Sequence, residues 1–162
     1  MKAFIVSQYE AALQMLRECV QQYEEELWLD HSRFTNAAWH ITYHTIFFAN
    51  IYASPAEKRI QHWPEQTDHY QNLGPDHRPE RTYTTSEMLA YLDFVSERIP
   101  GYLEEFDADA ECWPFWYEMN QLEFQLSSLR HIQHHVGQLI ERAAPVRKGD
   151  ATWRRMRSAV TG

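Results

Sequence analysis

The chain has 162 residues, 44% of them hydrophobic, and a formal net charge of -8. A negative chain offers no general attraction to a phosphate backbone, so we expect no nucleic-acid partner. Because no apolar run approaches the roughly 20 residues that span a bilayer, we expect no membrane partner either. The length suits a single domain over residues 1–162 that buries its own core.

Cysteine usage and the N-terminal residues bear on the location of the protein. Cys19 and Cys112 are the two cysteines, and they form no paired framework, which favours a reducing compartment. Tyr9 and Glu10 come too early for the apolar core of a signal peptide. We therefore expect a cytoplasmic protein.

Residues 2–29 have the pattern of one long amphipathic helix. Apolar residues recur at helical spacing, charged residues fill the other positions, and neither glycine nor proline interrupts the run. Residues 30–36 then supply turn residues, and either Thr35 or Asn36 is expected to cap the next helix.

The second predicted helix, residues 36–52, is apolar on nearly every side, so we expect it to be buried. It nevertheless carries His40 and His44, four residues apart. A polar side chain in such surroundings needs a hydrogen-bond partner, a water molecule or a metal ion. The two histidines are therefore candidate functional residues.

A long connection, residues 55–85, joins the second helix to the third. It holds several prolines and aromatic residues, and we interpret it as a functional lid because aromatic residues are poor components of a disordered linker. Thr84 and Glu87 have capping-box spacing and open a third helix that reaches Pro100. Residues 107–114 are expected to form a loop.

The fourth predicted helix starts at Phe115 or Trp116 and runs to Ala144. It carries His131 and His135, whose i, i+4 spacing places both imidazoles on one helix face, one turn apart. Residues 150–156 then predict a short C-terminal helix. Four long helical segments without a period-2 strand indicate an all-α protein, and specifically a four-helix bundle.

The histidines of the second and fourth helices predict a metal site between them. A catalytic zinc site needs at least three protein ligands, and bundle cores build such sites from facing helices. His131 and His135 supply two ligands, and His40 or His44 is expected to supply the third. No carboxylate lies inside either histidine motif, so the HExxH protease arrangement is absent.

Two motifs of the sequence resemble a known family. Trp-His-x-x-x-His-Thr-x-Phe-Phe in the second helix and Arg-His-x-Gln-His-His-x-Gly-Gln-Leu in the fourth are similar to the DinB-like (YfiT-type) family of metal-dependent proteins. The resemblance implies a four-helix bundle in up-down-down-up order, often dimeric, with a three-histidine site for zinc, nickel or another divalent ion. Carried over by residue, it implies His40, His131 and His135 as the metal ligands.

The same resemblance implies a class of chemistry. Relatives include thiol-dependent transferases and an isomerase, so we expect a small-molecule substrate, a low-molecular-weight thiol as a second cofactor, and a homodimer. Two alternatives remain open at this point. One is metal-dependent hydrolysis, since a bound ion lowers the pKa of water. The other is a non-catalytic metal-binding protein of a stress response.

Overall fold

The computed structural model describes residues 1–114 and 117–144, and the regular structure within these ranges is helical, with no strand. The prediction of an all-α protein is confirmed. In chain order the helices are α1 (Lys2–Val20), α2 (Glu25–Trp28), α3 (Ala38–Ala53), α4 (Thr85–Ser96), α5 (Ile99–Tyr102) and α6 (Gln121–Ala143). Two 3₁₀ turns, Glu57–Arg59 and Leu103–Glu105, accompany them.

The four long helices contact one another in a closed cycle. Helix α6 packs against α1 and α3, and α4 packs against the same two helices. Aliphatic and aromatic side chains together fill the core, and the aromatic ones bury the largest apolar areas per residue. The largest fully buried residues are Trp28, Trp39, Tyr9, Tyr43, Tyr83 and Tyr91.

The first helical segment is shorter than the sequence predicts. Helix α1 ends at Val20, and a turn separates it from α2, although no glycine or proline lies between them. The break coincides with long-range hydrogen bonds: the Tyr23 hydroxyl donates to the Leu139 carbonyl at 2.7 Å, and Trp28 Nε1 donates to the Tyr83 carbonyl at 2.8 Å. Tertiary packing therefore outweighs the local helical preference of this stretch.

Helix α3 is buried as expected, because none of its residues is exposed. The predicted cap is wrong: Ala37 occupies the N-cap position, and no side chain caps the helix. The Asn36 amide instead approaches His40 Nδ1 at 3.5 Å and the Gly74 carbonyl at 3.4 Å. The Asn36 side chain therefore contacts the His40 ring and the connection between α3 and α4 (residues 54–84), and it does not cap the helix backbone.

The remaining helix boundaries follow local capping signals. The capping box of Thr84 and Glu87 opens α4 as predicted, and α5 forms a new turn at Pro100. Helix α6 begins at Gln121, later than the predicted start, because the side chain of Asn120 accepts a hydrogen bond from the Glu123 amide at 2.8 Å. The predicted C-terminal helix over residues 150–156 lies outside the described residues.

The long connection packs against the helices instead of extending away from them. Its residues Trp63 and Tyr83 are buried, and Tyr70 is packed against the core. Within the ranges given above, no helix combines the length and the hydropathy needed to cross a bilayer.

Candidate metal centre

Three histidines from two helices meet where α3 packs against α6. His131 and His135 lie on α6, next to the stripe of Ile132, Val136 and Leu139 that anchors this helix in the core. His44 approaches them from α3. His135 is buried, whereas His44 and His131 are half-buried, so the cluster lies near the surface.

The three Nε2 atoms face one another. His131 Nε2 lies 3.0 Å from His44 Nε2 and 3.1 Å from His135 Nε2. Two imidazole nitrogens bound to one tetrahedral zinc ion at about 2.0–2.1 Å stand about 3.3–3.4 Å apart. The observed separations are a few tenths of an ångström shorter, so a small outward shift would suffice to admit an ion.

The Nδ1 atoms of two rings are held by oxygen acceptors. His44 Nδ1 lies 2.6 Å from the Gln71 carbonyl oxygen, and His135 Nδ1 lies 2.8 Å from Gln138 Oε1. Neither oxygen carries a proton, so each Nδ1 is the protonated nitrogen of its ring. The Nε2 atoms of both rings are therefore unprotonated, and their lone pairs point to the centre of the cluster. This is the tautomer that a histidine needs to bind a metal through Nε2.

The cluster contains too few protons for its lone pairs. Neutral His131 carries one ring proton, which can satisfy at most one of the two lone pairs that face its Nε2. Its Nδ1 is buried and has no hydrogen-bond partner among the described residues. At least one lone pair in the cluster is thus left without a donor, an arrangement that a cation at the centre would resolve.

Burial keeps the three imidazoles neutral. Loss of water lowers the pKa of His44 to about 3 and that of His131 to about 4. The pKa of His135 is also lowered by burial, against the opposing effect of its bond to Gln138. Neutral imidazole is the form that binds metal, so the three rings could hold a metal ion at neutral pH.

His40 lies away from this cluster, which differs from the ligand set that the family resemblance implies. Its Nε2 lies 2.8 Å from the Tyr70 carbonyl and donates to it, and its Nδ1 faces the Asn36 amide. Both ring nitrogens are therefore engaged elsewhere. Of the two α3 histidines that the sequence left open, the structure brings His44 to His131 and His135.

Aromatic rings border the half-buried side of the cluster. The Phe48 ring lies 4.8 Å from the His44 ring and 5.7 Å from the His131 ring, between centroids. Tyr52 follows one turn later on α3, 6.2 Å from the His131 ring. Both side chains are half-buried neighbours of His44 and His131.

The two oxygen acceptors of the cluster, the Gln71 carbonyl and Gln138 Oε1, were not predicted from the sequence. Gln138 stands three residues after His135 on one helix face, so the spacing was a usable signal. The Gln71 acceptor is a backbone carbonyl in an irregular segment, for which the sequence carries no signal.

No family model, curated protein or solved structure matches this chain. The likeness to the DinB-like family therefore gains no support from these comparisons and stays an expectation based on the two histidine motifs.

Proposed function

We propose that this protein is a metal-dependent enzyme whose zinc or nickel ion is held by Nε2 of His44, His131 and His135. The observation that carries the proposal is the convergence of three imidazole Nε2 atoms. In His44 and His135 an oxygen acceptor holds the proton at Nδ1, which leaves Nε2 unprotonated. The ligand set keeps the α6 pair that the sequence predicts and takes His44 as the third ligand.

We also propose a helix arrangement, a cellular location and an oligomeric state. We take the four long helices as a bundle of the DinB-like kind, in up-down-down-up order, followed by a short C-terminal helix. The closed cycle of contacts among α1, α3, α4 and α6 supports the bundle, and the up-down-down-up order rests on the family resemblance. We further propose a cytoplasmic homodimer, with one domain over residues 1–162 and no nucleic-acid or membrane partner.

The proposed chemistry is thiol transfer or isomerisation. An ion held by three neutral imidazoles supplies Lewis acidity and lowers the pKa of a thiol or water bound to it. The choice of a thiol over water as the nucleophile rests on the likeness of the two histidine motifs to the DinB-like family, whose members include thiol-dependent enzymes.

The chain's own residues would hold the substrate beside the cluster. Phe48 and Tyr52 offer ring faces and edges next to His44 and His131, and both are half-buried rather than enclosed. A small molecule with an apolar part would displace water from these rings on binding.

Metal analysis tests the first part of the proposal. Untagged protein is dialysed against zinc or nickel, and the bound ion is counted by elemental analysis. We expect one ion per chain in the wild type and loss of that ion in H44A and H131A. Wild-type protein without a stoichiometric ion would refute the proposal.

Thiol titration tests the second part. Cobalt-substituted protein is mixed with several low-molecular-weight thiols, and its visible absorption is recorded. A thiolate bound to cobalt adds an intense charge-transfer band, which we expect with at least one thiol. No change with any of them would contradict thiol chemistry and favour hydrolysis or a non-catalytic metal-binding role.

A further inference from the structure

The two histidines of α3 hold adjacent carbonyl groups of the 54–84 connection. His40 Nε2 donates to the Tyr70 carbonyl at 2.8 Å, and His44 Nδ1 donates to the Gln71 carbonyl at 2.6 Å. One turn of helix separates the two rings, and one peptide bond separates the two acceptors. The pair thus fixes this short stretch of the connection to α3 at two neighbouring points.

The stretch departs from ordinary backbone conformation just before these carbonyls. His69 has φ of +67°, a left-handed conformation that non-glycine residues adopt at a cost. The two histidine hydrogen bonds oppose that cost. Within the connection itself, the Tyr70 hydroxyl accepts a hydrogen bond from the Arg81 amide at 2.8 Å.

We propose that His40 is a positioning residue for the metal centre, and that metal binding at His44 is linked to docking of residues 69–72 on α3. This inference rests on the proposed function, since it takes His44 as a ligand. It assigns a role to a histidine that is not itself in the cluster.

The linkage follows from the two nitrogens of His44. With a metal ion bound at Nε2, the His44 ring would be a stronger donor, and its Nδ1–H would make a stronger hydrogen bond to the Gln71 carbonyl. Metal binding therefore favours the docked segment, and by reciprocity the docked segment favours metal binding. His40 holds the neighbouring carbonyl whether or not metal is present, so it keeps the Gln71 acceptor in place and reduces the cost of ordering it.

Zinc affinity in two His40 variants tests the positioning role. H40F keeps a ring against Trp39, which stacks on His40 at 5.0 Å, but removes the donor. H40Q keeps a donor group near the Tyr70 carbonyl. We expect zinc affinity, measured by chelator competition, to fall about tenfold in H40F, the size typical of a lost outer-shell partner, and less in H40Q.

Hydrogen exchange in the wild type tests the linkage without any variant. The amides of Tyr70 and Asn72, bonded to the carbonyls of Thr67 and His69, lie in the stretch that should dock more firmly. We expect zinc to slow their exchange about tenfold or more, an effect that H40F at saturating zinc reduces. The Gln66 amide, bonded to the Trp63 carbonyl in the same connection, is the control and should change less.

The outcomes separate this inference from the proposed function. If the wild type binds no zinc, the metal centre itself is refuted. If the wild type binds zinc but H40F binds it equally well, with no zinc-dependent protection at Tyr70 and Asn72, the metal centre stands and the positioning role of His40 is refuted. A lower melting temperature in metal-free H40F with unchanged zinc affinity would mark a purely structural role and would also overturn the inference.

Discussion

Gln138 offers a test in which two substitutions at one site have opposite effects. Its Oε1 accepts the Nδ1–H of His135 at 2.8 Å, and the residue is otherwise exposed, so its replacement disturbs no core packing. Replacing it with leucine removes the acceptor that fixes the tautomer of His135. Replacing it with glutamate puts a carboxylate there, the partner found in carboxylate–histidine–zinc triads, which raises the basicity of the ligand.

The expected change in zinc affinity follows from the hydrogen bond between His135 and residue 138, which is lost in one variant and strengthened in the other. A hydrogen bond with a net contribution of about 1 kcal/mol changes an affinity about fivefold. Substitution of a residue that hydrogen-bonds to a metal ligand lowers metal affinity about 10- to 100-fold. We therefore expect zinc affinity to fall about five- to thirtyfold in Q138L and to rise several-fold in Q138E.

Chelator competition at a fixed pH measures both affinities, and thermal unfolding of the metal-free variants provides the control. General damage to the fold would move both variants in the same direction. Equal zinc affinity in Q138L, Q138E and the wild type would show that His135 does not depend on this acceptor, or that it binds no metal.

Three further predictions concern stability. Burial lowers the pKa of His44 and His131 below the ordinary value for histidine, so at acidic pH the unfolded chain binds more protons than the folded chain. Metal-free protein should therefore keep its stability above pH 6.5. As the pH falls from 7 to 5, its free energy of unfolding should fall by about 1 kcal/mol or more per ring, after allowance for partial exposure of the rings. Urea unfolding at both pH values measures this loss of stability, which should be smaller in a His44→Asn variant. An unchanged loss in that variant would contradict its assignment to His44. Gly74 has φ of +136°, so Gly74→Ala should cost about 1–3 kcal/mol in urea unfolding, and a neutral result would show that the backbone adapts. Asn120→Ala removes the cap of α6 and should cost about 1 kcal/mol, seen as an earlier urea midpoint; an unshifted midpoint would mean that water replaces the cap.

The histidine pair of α6 was predictable because a helical repeat fixes which residues share a face. His131 and His135 needed only the i, i+4 rule and a correct helix assignment. Which of His40 and His44 lies beside the α6 pair was beyond that rule, since both lie on one face of α3. That depends on how α3 packs against α6, which a helical repeat does not give. In the structure His40 donates instead to the Tyr70 carbonyl, in a segment with no regular repeat.

Helix ends were predictable where a side chain caps them locally. Thr84 and Glu87 gave the correct start of α4. Asn120 and Glu123 have the same signature at the start of α6, after the predicted start at Phe115 or Trp116. The end of α1 had no such signal. Its position depends on contacts with residues more than fifty positions away, such as the hydrogen bond from Trp28 to the Tyr83 carbonyl.

The most direct test of the metal centre is anomalous diffraction at the zinc absorption edge from crystals of untagged, zinc-loaded protein. We predict one peak per chain, between α3 and α6, about 2.0–2.1 Å from Nε2 of His44, His131 and His135. A peak coordinated by His40 in place of His44 would contradict the ligand set, and no peak between the two helices would contradict the metal centre altogether.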